Sequence, residues 1–179
     1  MQLIVIEGPD GTGKSTHADA LAAALRERDV DALSWHHQRP SFVDPWLTAL
    51  DYARQRAVLC ASAQDGTVYV VDRWWWSTSA EGFARSGEWS SEMARAYHGL
   101  AGVECDALCG AIITIFLDAS DEVIDARLAK RGTPATPLDY RKRVAYRAFS
   151  QCENVSVVRT DATKSNVQRA IVSLALGAM

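Results

Sequence analysis

Two short stretches of this chain carry side chains whose types and spacing suit work on phosphate. The first, Gly8-Pro9-Asp10-Gly11-Thr12-Gly13-Lys14-Ser15, fits the pattern GxxxxGK(S/T). Glycines at those intervals let consecutive backbone N–H groups turn inward around a phosphate, where a Cβ would stand in the way. A helix opening at Lys14 adds the partial positive charge of its N-terminus. Lys14 can bridge the β- and γ-phosphates of a nucleotide, and the Ser15 hydroxyl can ligate magnesium. Gly8, Asp10, Gly11, Thr12, Gly13 and Thr16 complete the set expected to cradle ATP. The second stretch is Asp72-Arg73, which closes the apolar run Val68-Tyr69-Val70-Val71. An acid at a strand tip can hold a magnesium-bound water, and an arginine beside it can reach a transferring phosphoryl group. ATP and Mg2+ are therefore the expected cofactors, with Ser15 and Asp72 on the metal. Lys14, Asp72 and Arg73 are expected to be catalytic. The chain has no NKxD-type guanine reader, and its strand tip carries Asp-Arg rather than the acidic pair of motor and remodelling ATPases.

Elements able to position these residues alternate along the chain. Leu3-Ile4-Val5-Ile6 reads as a central parallel strand, since it is apolar without alternation. A helix is predicted over 14–28, with Ala18, Leu21, Ala22 and Leu25 on one stripe. A strand over 32–35, a loop over 36–45 and a helix from Pro45 to Ser62 come next. Strands are predicted over 68–71, 111–117 and 155–158, and helices over 77–86, 90–104, 120–131, 138–151 and 163–176. The expected fold is α/β, a doubly wound five-stranded parallel sheet of the P-loop nucleotide-hydrolase type, because right-handed crossovers must cover both faces. With no repeat and no linker, one domain over 1–179 is expected, with a lid segment at about 126–143.

Composition narrows the field. The net charge of -3 gives no overall electrostatic case for binding long nucleic acid. No run of 18 apolar residues is present, so no membrane span is expected. The opening MQLIVIEGPDG runs directly into a strand and a glycine loop, with no basic region or cleavage site, so a cytoplasmic chain is expected. Cys60, Cys105, Cys109 and Cys152 are scattered, consistent with reduced thiols in such a compartment.

At the segments IEGPDGTGKST, Asp72-Arg73-Trp74-Trp75-Trp76-Ser77 and Tyr52-Ala53-Arg54-Gln55-Arg56, the chain resembles the thymidylate kinase family of nucleoside monophosphate kinases. The second segment is similar to that family's DR(Y/H)xxS motif, and the third to its base-binding aromatic-x-x-x-Arg segment. The resemblance implies phosphoryl transfer from ATP to a deoxynucleoside monophosphate, with thymidine monophosphate first in line, and a homodimer. It implies that Asp10 accepts from the acceptor's 3′-hydroxyl, Tyr52 stacks on the pyrimidine, Arg56 donates to a base carbonyl, Arg73 contacts the phosphates and Ser77 borders the base pocket. Tyr52 and Arg56 are also four residues apart, which places them on one helix face. In the lid, Arg127 and Arg131 match positions where bacterial members carry arginines aimed at donor phosphates. The glycine loop has no arginine of its own, which leaves that charge to the lid, with Arg141, Lys142 and Arg143 as further candidates.

Three features depart from the family pattern. The arginine that should grip the acceptor phosphate is displaced to Arg39, within His36-His37-Gln38-Arg39-Pro40, so either Arg39 does that work from a shifted register or the two histidines do. Glu81-Gly82 replaces an aromatic and polar pair, which brings negative charge toward the acceptor. Trp74-Trp75-Trp76 cannot all face one core, so one of them, Trp74 among the candidates, can line the acceptor cleft. Two other acceptors stay open: a hydroxymethylated pyrimidine in DNA, as in phage P-loop kinases, and a free deoxynucleoside with Glu81 as base. A regulatory module that binds nucleotide without turnover is the non-enzyme alternative.

Overall fold

The computed structural model of the chain describes residues 1–38, 45–86, 112–151 and 155–179. The predicted helix over 90–104 lies outside these, as does Arg39. Five strands, β1 (Gln2–Glu7), β2 (Ala32–His36), β3 (Val68–Asp72), β4 (Ile112–Asp118) and β5 (Val155–Arg159), pair in parallel in the order β2-β3-β1-β4-β5. Six helices accompany them among the described residues: α1 (Lys14–Arg26), α2 (Pro45–Ser62), α3 (Trp75–Ser86), α4 (Asp121–Lys130), α5 (Pro137–Phe149) and α6 (Lys164–Ala178). Most boundaries fall within two residues of those read from the sequence. None of these helices is long and apolar enough to cross a membrane.

The central strands explain why their sequences do not alternate. Ile4 and Ile6 of β1, Val68 and Val70 of β3, and Ile115 and Leu117 of β4 point to one face. They pack there on Ala18, Leu21 and Leu25 of α1 and Val167, Ile171 and Ala175 of α6. Leu3, Val5, Tyr69 and Val71 point the other way, toward Leu59 of α2 and Trp74. Farther along that second face, Phe116 packs with Ala80 of α3 and with Ala145, Tyr146 and Phe149 of α5. Both faces are therefore covered, as an all-parallel sheet requires.

Side-chain caps define the later helices. Ser120 accepts from the Val123 amide at the start of α4, and Thr163 accepts from Asn166 at the start of α6. Thr136 and Asp139 form a reciprocal capping box, with Pro137 in the first turn of α5. β1 lies between β3 and β4, so its C-terminal end opens into the crevice where α/β sheets of this winding place their ligands. Leu21, fully buried between α1 and the sheet, should be a sensitive reporter of this packing. Leu21→Ala is expected to lower unfolding free energy by about 2–5 kcal/mol in a denaturant titration.

Candidate functional site

The chain leaves β1 through a loop that only glycines can form. Gly8 has φ 135°, and a Cβ there would run into the backbone carbonyl of Leu117. Gly11 and Gly13 both have φ 89°, and Gly13 is the residue from which α1 starts. Inside the loop, the Thr12 hydroxyl and the Lys14 ammonium each donate to the Pro9 carbonyl at 2.8 Å. Lys14 also stands 3.6 Å from Asp10. The lysine is buried, and burial, joined by the nearby Arg73 charge, pushes its pKa down to about 8 against the pull of Asp10, Asp72 and Glu7.

The end of β3 meets this loop. The Ser15 hydroxyl donates to Asp72 Oδ2 at 2.5 Å. The other Asp72 oxygen, Oδ1, is buried with no hydrogen-bond partner among the described residues. His36, opposite Asp72 in the strand register, places Nδ1 3.5 Å from Asp72 Oδ2 and Nε2 2.7 Å from Asp19 Oδ1. Burial works against a charge on His36, but the two carboxylates outweigh it and raise its pKa. One residue further, Arg73 turns away with φ 75°. That left-handed geometry costs an arginine on the order of 1–3 kcal/mol. It sends the guanidinium to Asp10, with which it forms an ion pair, and toward Ser77 Oγ at 3.3 Å and the Tyr146 hydroxyl at 3.5 Å. Arg73 is the chief reason that the Asp10 carboxyl is held well below the usual carboxylate range.

Beneath Arg73 lies Glu7, with no exposed surface. Its carboxylate accepts from the Trp74 amide at 2.6 Å, the Ser77 amide at 3.1 Å and the Ser77 hydroxyl at 2.6 Å. The Tyr146 hydroxyl in turn donates to Ser77 Oγ at 2.7 Å. Burial raises the Glu7 pKa, and these donors, with Arg73 and Lys14, oppose it. Ser77, expected at the edge of a base pocket, is instead a buried link in this network.

Tyr52 and Arg56 lie one turn apart on α2, and Trp74 approaches them from the end of β3. The buried Arg56 guanidinium lies 5.5 Å from the Trp74 ring centre. His37, one of the two histidines expected to grip the acceptor phosphate if Arg39 does not, sits between Tyr52 at 5.8 Å and Trp74 at 5.9 Å. Of the other tryptophans, Trp75 and Trp76 stack on each other at 3.6 Å, and Trp76 packs on Phe116 and Phe149. Glu81 faces neither pocket openly: it pairs with Arg85 at 2.6 Å and with Lys142 of α5 at 2.5 Å.

On the opposite side of the glycine loop is a cleft of about 490 Å³, lined by Gly11, Gly13, Thr16, Arg127, Lys130 and Arg131 among others. Arg127 and Arg131 do share it. Arg127 is nevertheless committed to protein, donating to the Thr160 carbonyl at 2.6 Å, the Thr160 hydroxyl at 3.0 Å and the Gly11 carbonyl at 3.3 Å. Arg131 is exposed at the end of α4. Arg143 is buried against Asp125 at 2.6 Å and Asp121 at 3.4 Å, with its guanidinium over Tyr140, so it braces α5 against α4. Arg141 is exposed.

Glu7, Tyr146 and Thr160 are the parts that sequence reasoning did not assign. Only Glu7 had a signal, as the acid just before the glycine loop. No protein-family model matches this chain, and no curated protein matches it, so the site is interpreted from its own geometry. The loop makes one sharp demand on sequence. Gly8→Ala should destabilise the protein by at least about 2 kcal/mol in a denaturant titration, through strain against backbone that cannot yield.

Proposed function

We propose that this chain is a P-loop kinase of the thymidylate kinase type, which passes the γ-phosphoryl group of ATP to a deoxynucleoside monophosphate, first of all thymidine monophosphate. The observation that carries this reading is the division of labour between two consecutive residues. Asp72 joins Ser15 and the neighbourhood of Lys14, whereas Arg73 turns through φ 75° to Asp10. One strand tip thus serves a metal-and-donor side and an acceptor side, which is what direct transfer between two phosphates needs.

The residues fit magnesium. Ser15 and Asp72 would hold it, directly or through water, and the buried Asp72 Oδ1, without a partner among the described residues, is an oxygen in want of such a neighbour. Among the described residues no group of three His, Cys, Asp or Glu side chains could hold a metal. That suits an ion that takes its remaining ligands from nucleotide phosphates and water. When bound, magnesium supplies charge neutralisation on the β- and γ-phosphates. Lys14 would leave the Pro9 carbonyl for the phosphates, and the loop amides would hold the β-phosphate. The acceptor's phosphate oxygen would attack in line, with Arg73 countering charge on both groups and ADP leaving. Tyr52, Trp74 and Arg56 would take the acceptor base by stacking and donation. Arg131 and Lys130 are the lid cations open to the donor side.

The other acceptors draw less support. Trp75 and Trp76 are spent on each other and on Phe116 and Phe149, which removes the aromatic argument for a base within DNA. Glu81 is held by two cations, which weakens the case for it as the base of a free-nucleoside kinase.

ADP release should be measured with ATP and magnesium against thymidine monophosphate, thymidine and DNA containing hydroxymethyluracil. Release driven by the monophosphate is expected, and release driven only by another member would overturn the acceptor assignment. Lys14→Ala should lower turnover roughly 10²-fold or more; an unchanged rate would remove the phosphate-loop mechanism. Lys14 also gives a proton-linkage test. Its free pKa of about 8 should rise when phosphates surround it, so ATP binding at pH 8 should take up roughly half a proton. Calorimetry in two buffers of different ionisation enthalpy measures that uptake, and Lys14→Ala should abolish it.

A further inference from the structure

Arg127, expected to aim at donor phosphates, is instead bonded to three protein oxygens that belong to the walls of the donor cleft. Its Nη2 donates to the Thr160 carbonyl at 2.6 Å. Its Nη1 is shared between the Thr160 hydroxyl at 3.0 Å and the Gly11 carbonyl at 3.3 Å. Thr160 is a firm anchor, since it is buried just past β5 and its amide donates to the Asp118 carbonyl at 2.7 Å. Gly11 is held from the same side. A Cβ on it would stand 3.2 Å from the Ile124 side chain and 3.3 Å from that of Leu128. Ile124, Arg127 and Leu128 lie on one face of α4. That face therefore meets Gly11 with two apolar side chains and one hydrogen bond.

With φ 89° and no side chain, Gly11 has nothing of its own to fix the peptide that follows it. The direction of that peptide matters to phosphate. A trans amide carries its carbonyl and its N–H on opposite sides. Drawing the Gly11 carbonyl toward Arg127 therefore turns the Thr12 N–H the other way, into the loop. There it meets the Pro9 carbonyl at 3.4 Å, the same oxygen that takes the Thr12 hydroxyl and the Lys14 ammonium at 2.8 Å each. Three donors on one oxygen mark the place that a phosphate oxygen would take. A guanidinium suits the bracing, because its planar fork reaches separate acceptors in fixed directions, where an ammonium is a single point.

We propose that Arg127 is a positioning residue of the donor site. It ties the Gly11 carbonyl to the anchored Thr160, and so keeps the Thr12 N–H turned toward the donor's phosphates, without touching the nucleotide itself. The inference rests on the phosphate-loop reading above. It gives the two lid arginines different work, Arg131 as an exposed cation and Arg127 as a brace, although they lie one helical turn apart and line one cleft.

The test compares wild type, Arg127→Met, Arg127→Lys and Thr160→Val. Calorimetry reads the binding of ATP and of tripolyphosphate, which has neither sugar nor base. Hydrogen exchange reads the glycine-loop amides in the free protein. Arg127→Met should weaken both ligands about tenfold or more, by similar factors. It should also speed exchange at Thr12 before any ligand is added. In turnover the loss should fall on KM for ATP, with kcat within about threefold and acceptor affinity unchanged, a split that general unfolding would not give. Arg127→Lys keeps the charge but not the fork, and should recover only part of the affinity. Thr160→Val removes one acceptor of the fork and serves where Arg127→Met does not fold. It should weaken ATP about two- to threefold, and add little to Arg127→Lys. A loss confined to ATP, with tripolyphosphate unchanged, would place Arg127 on the base and overturn the inference. Wild-type affinity in Arg127→Lys, or a loss carried by kcat, would overturn it as well. A wild type that binds neither ligand would overturn it together with the phosphate-loop reading. Binding and exchange as expected, without transfer to any acceptor, would overturn the kinase reading and leave the role of Arg127 standing.

Discussion

A carboxyl group with no access to water, that of Glu7, fixes the geometry of everything around it. It stands at the last position of β1, just before the chain must turn through Gly8. From there it accepts two backbone N–H groups at the start of α3 and the Ser77 hydroxyl. Burial raises its pKa, so keeping it ionised depends on those donors and on Arg73 and Lys14 nearby. The sign of its contribution follows. A carboxyl whose folded pKa is raised contributes stability below its ordinary pKa, and loses it as pH climbs through the raised value. Asp10 has the opposite sign, since Arg73 lowers its pKa; its contribution is present at neutral pH and lost on acidification. Glu7 thus opposes stability at neutral pH on its own account, which is the behaviour of a group retained for what it positions.

What it positions is the backbone of the Asp72–Ser77 segment. Because the amides of Trp74 and Ser77 must both reach Glu7, the chain cannot run straight from β3 into α3. Arg73 absorbs the change of direction with its positive φ, and the Arg73 amide still donates to the Ile6 carbonyl at 3.0 Å. The left-handed turn separates neighbouring side chains, placing Asp72 at Ser15 and Arg73 at Asp10. Trp74, next in the chain, then fills the core under β1 and β3 while its ring meets His37 and Arg56. Three consecutive residues therefore reach three different neighbourhoods of one crevice.

How much of this was legible in the sequence depended on the range of the interaction. The glycine loop was legible because its conformational demand is local: three glycines with positive φ, a strand before them and a helix after. The strands were legible because a sheet covered on both faces removes alternation. Tyr52 and Arg56 were paired because one helical turn separates them. Side-chain direction beyond a turn was not legible. Ser77 is buried on Glu7 and Tyr146, 70 and 69 residues away, and no spacing rule encodes that contact. Arg127 and Arg143 belonged to a basic cluster that looked uniform in sequence. The fold gave Arg127 to the Thr160 and Gly11 carbonyls and Arg143 to Asp121 and Asp125, whereas Arg131 and Arg141 stayed exposed. His37 was visible only as half of a histidine pair, and the packing separated the two, one ring onto carboxylates and the other onto aromatics.

That sorting of the basic residues bears on how such a site would handle phosphate. A cation already bonded to carbonyls, as Arg127 is, gives up good hydrogen bonds if it moves to an anion, so its net gain is small. A cation held by a carboxylate differs, because an entering phosphate replaces one anion with another. Arg73 with Asp10 is such a case, and Lys14, with Asp10 at 3.6 Å, is another. Asp10 keeps two cations poised at the mouth of the loop and offsets part of the repulsion between them, which already depresses the pKa of Lys14. An incoming phosphate would free Asp10 from both. The freed carboxylate is then the group on which the family resemblance places the acceptor's sugar hydroxyl.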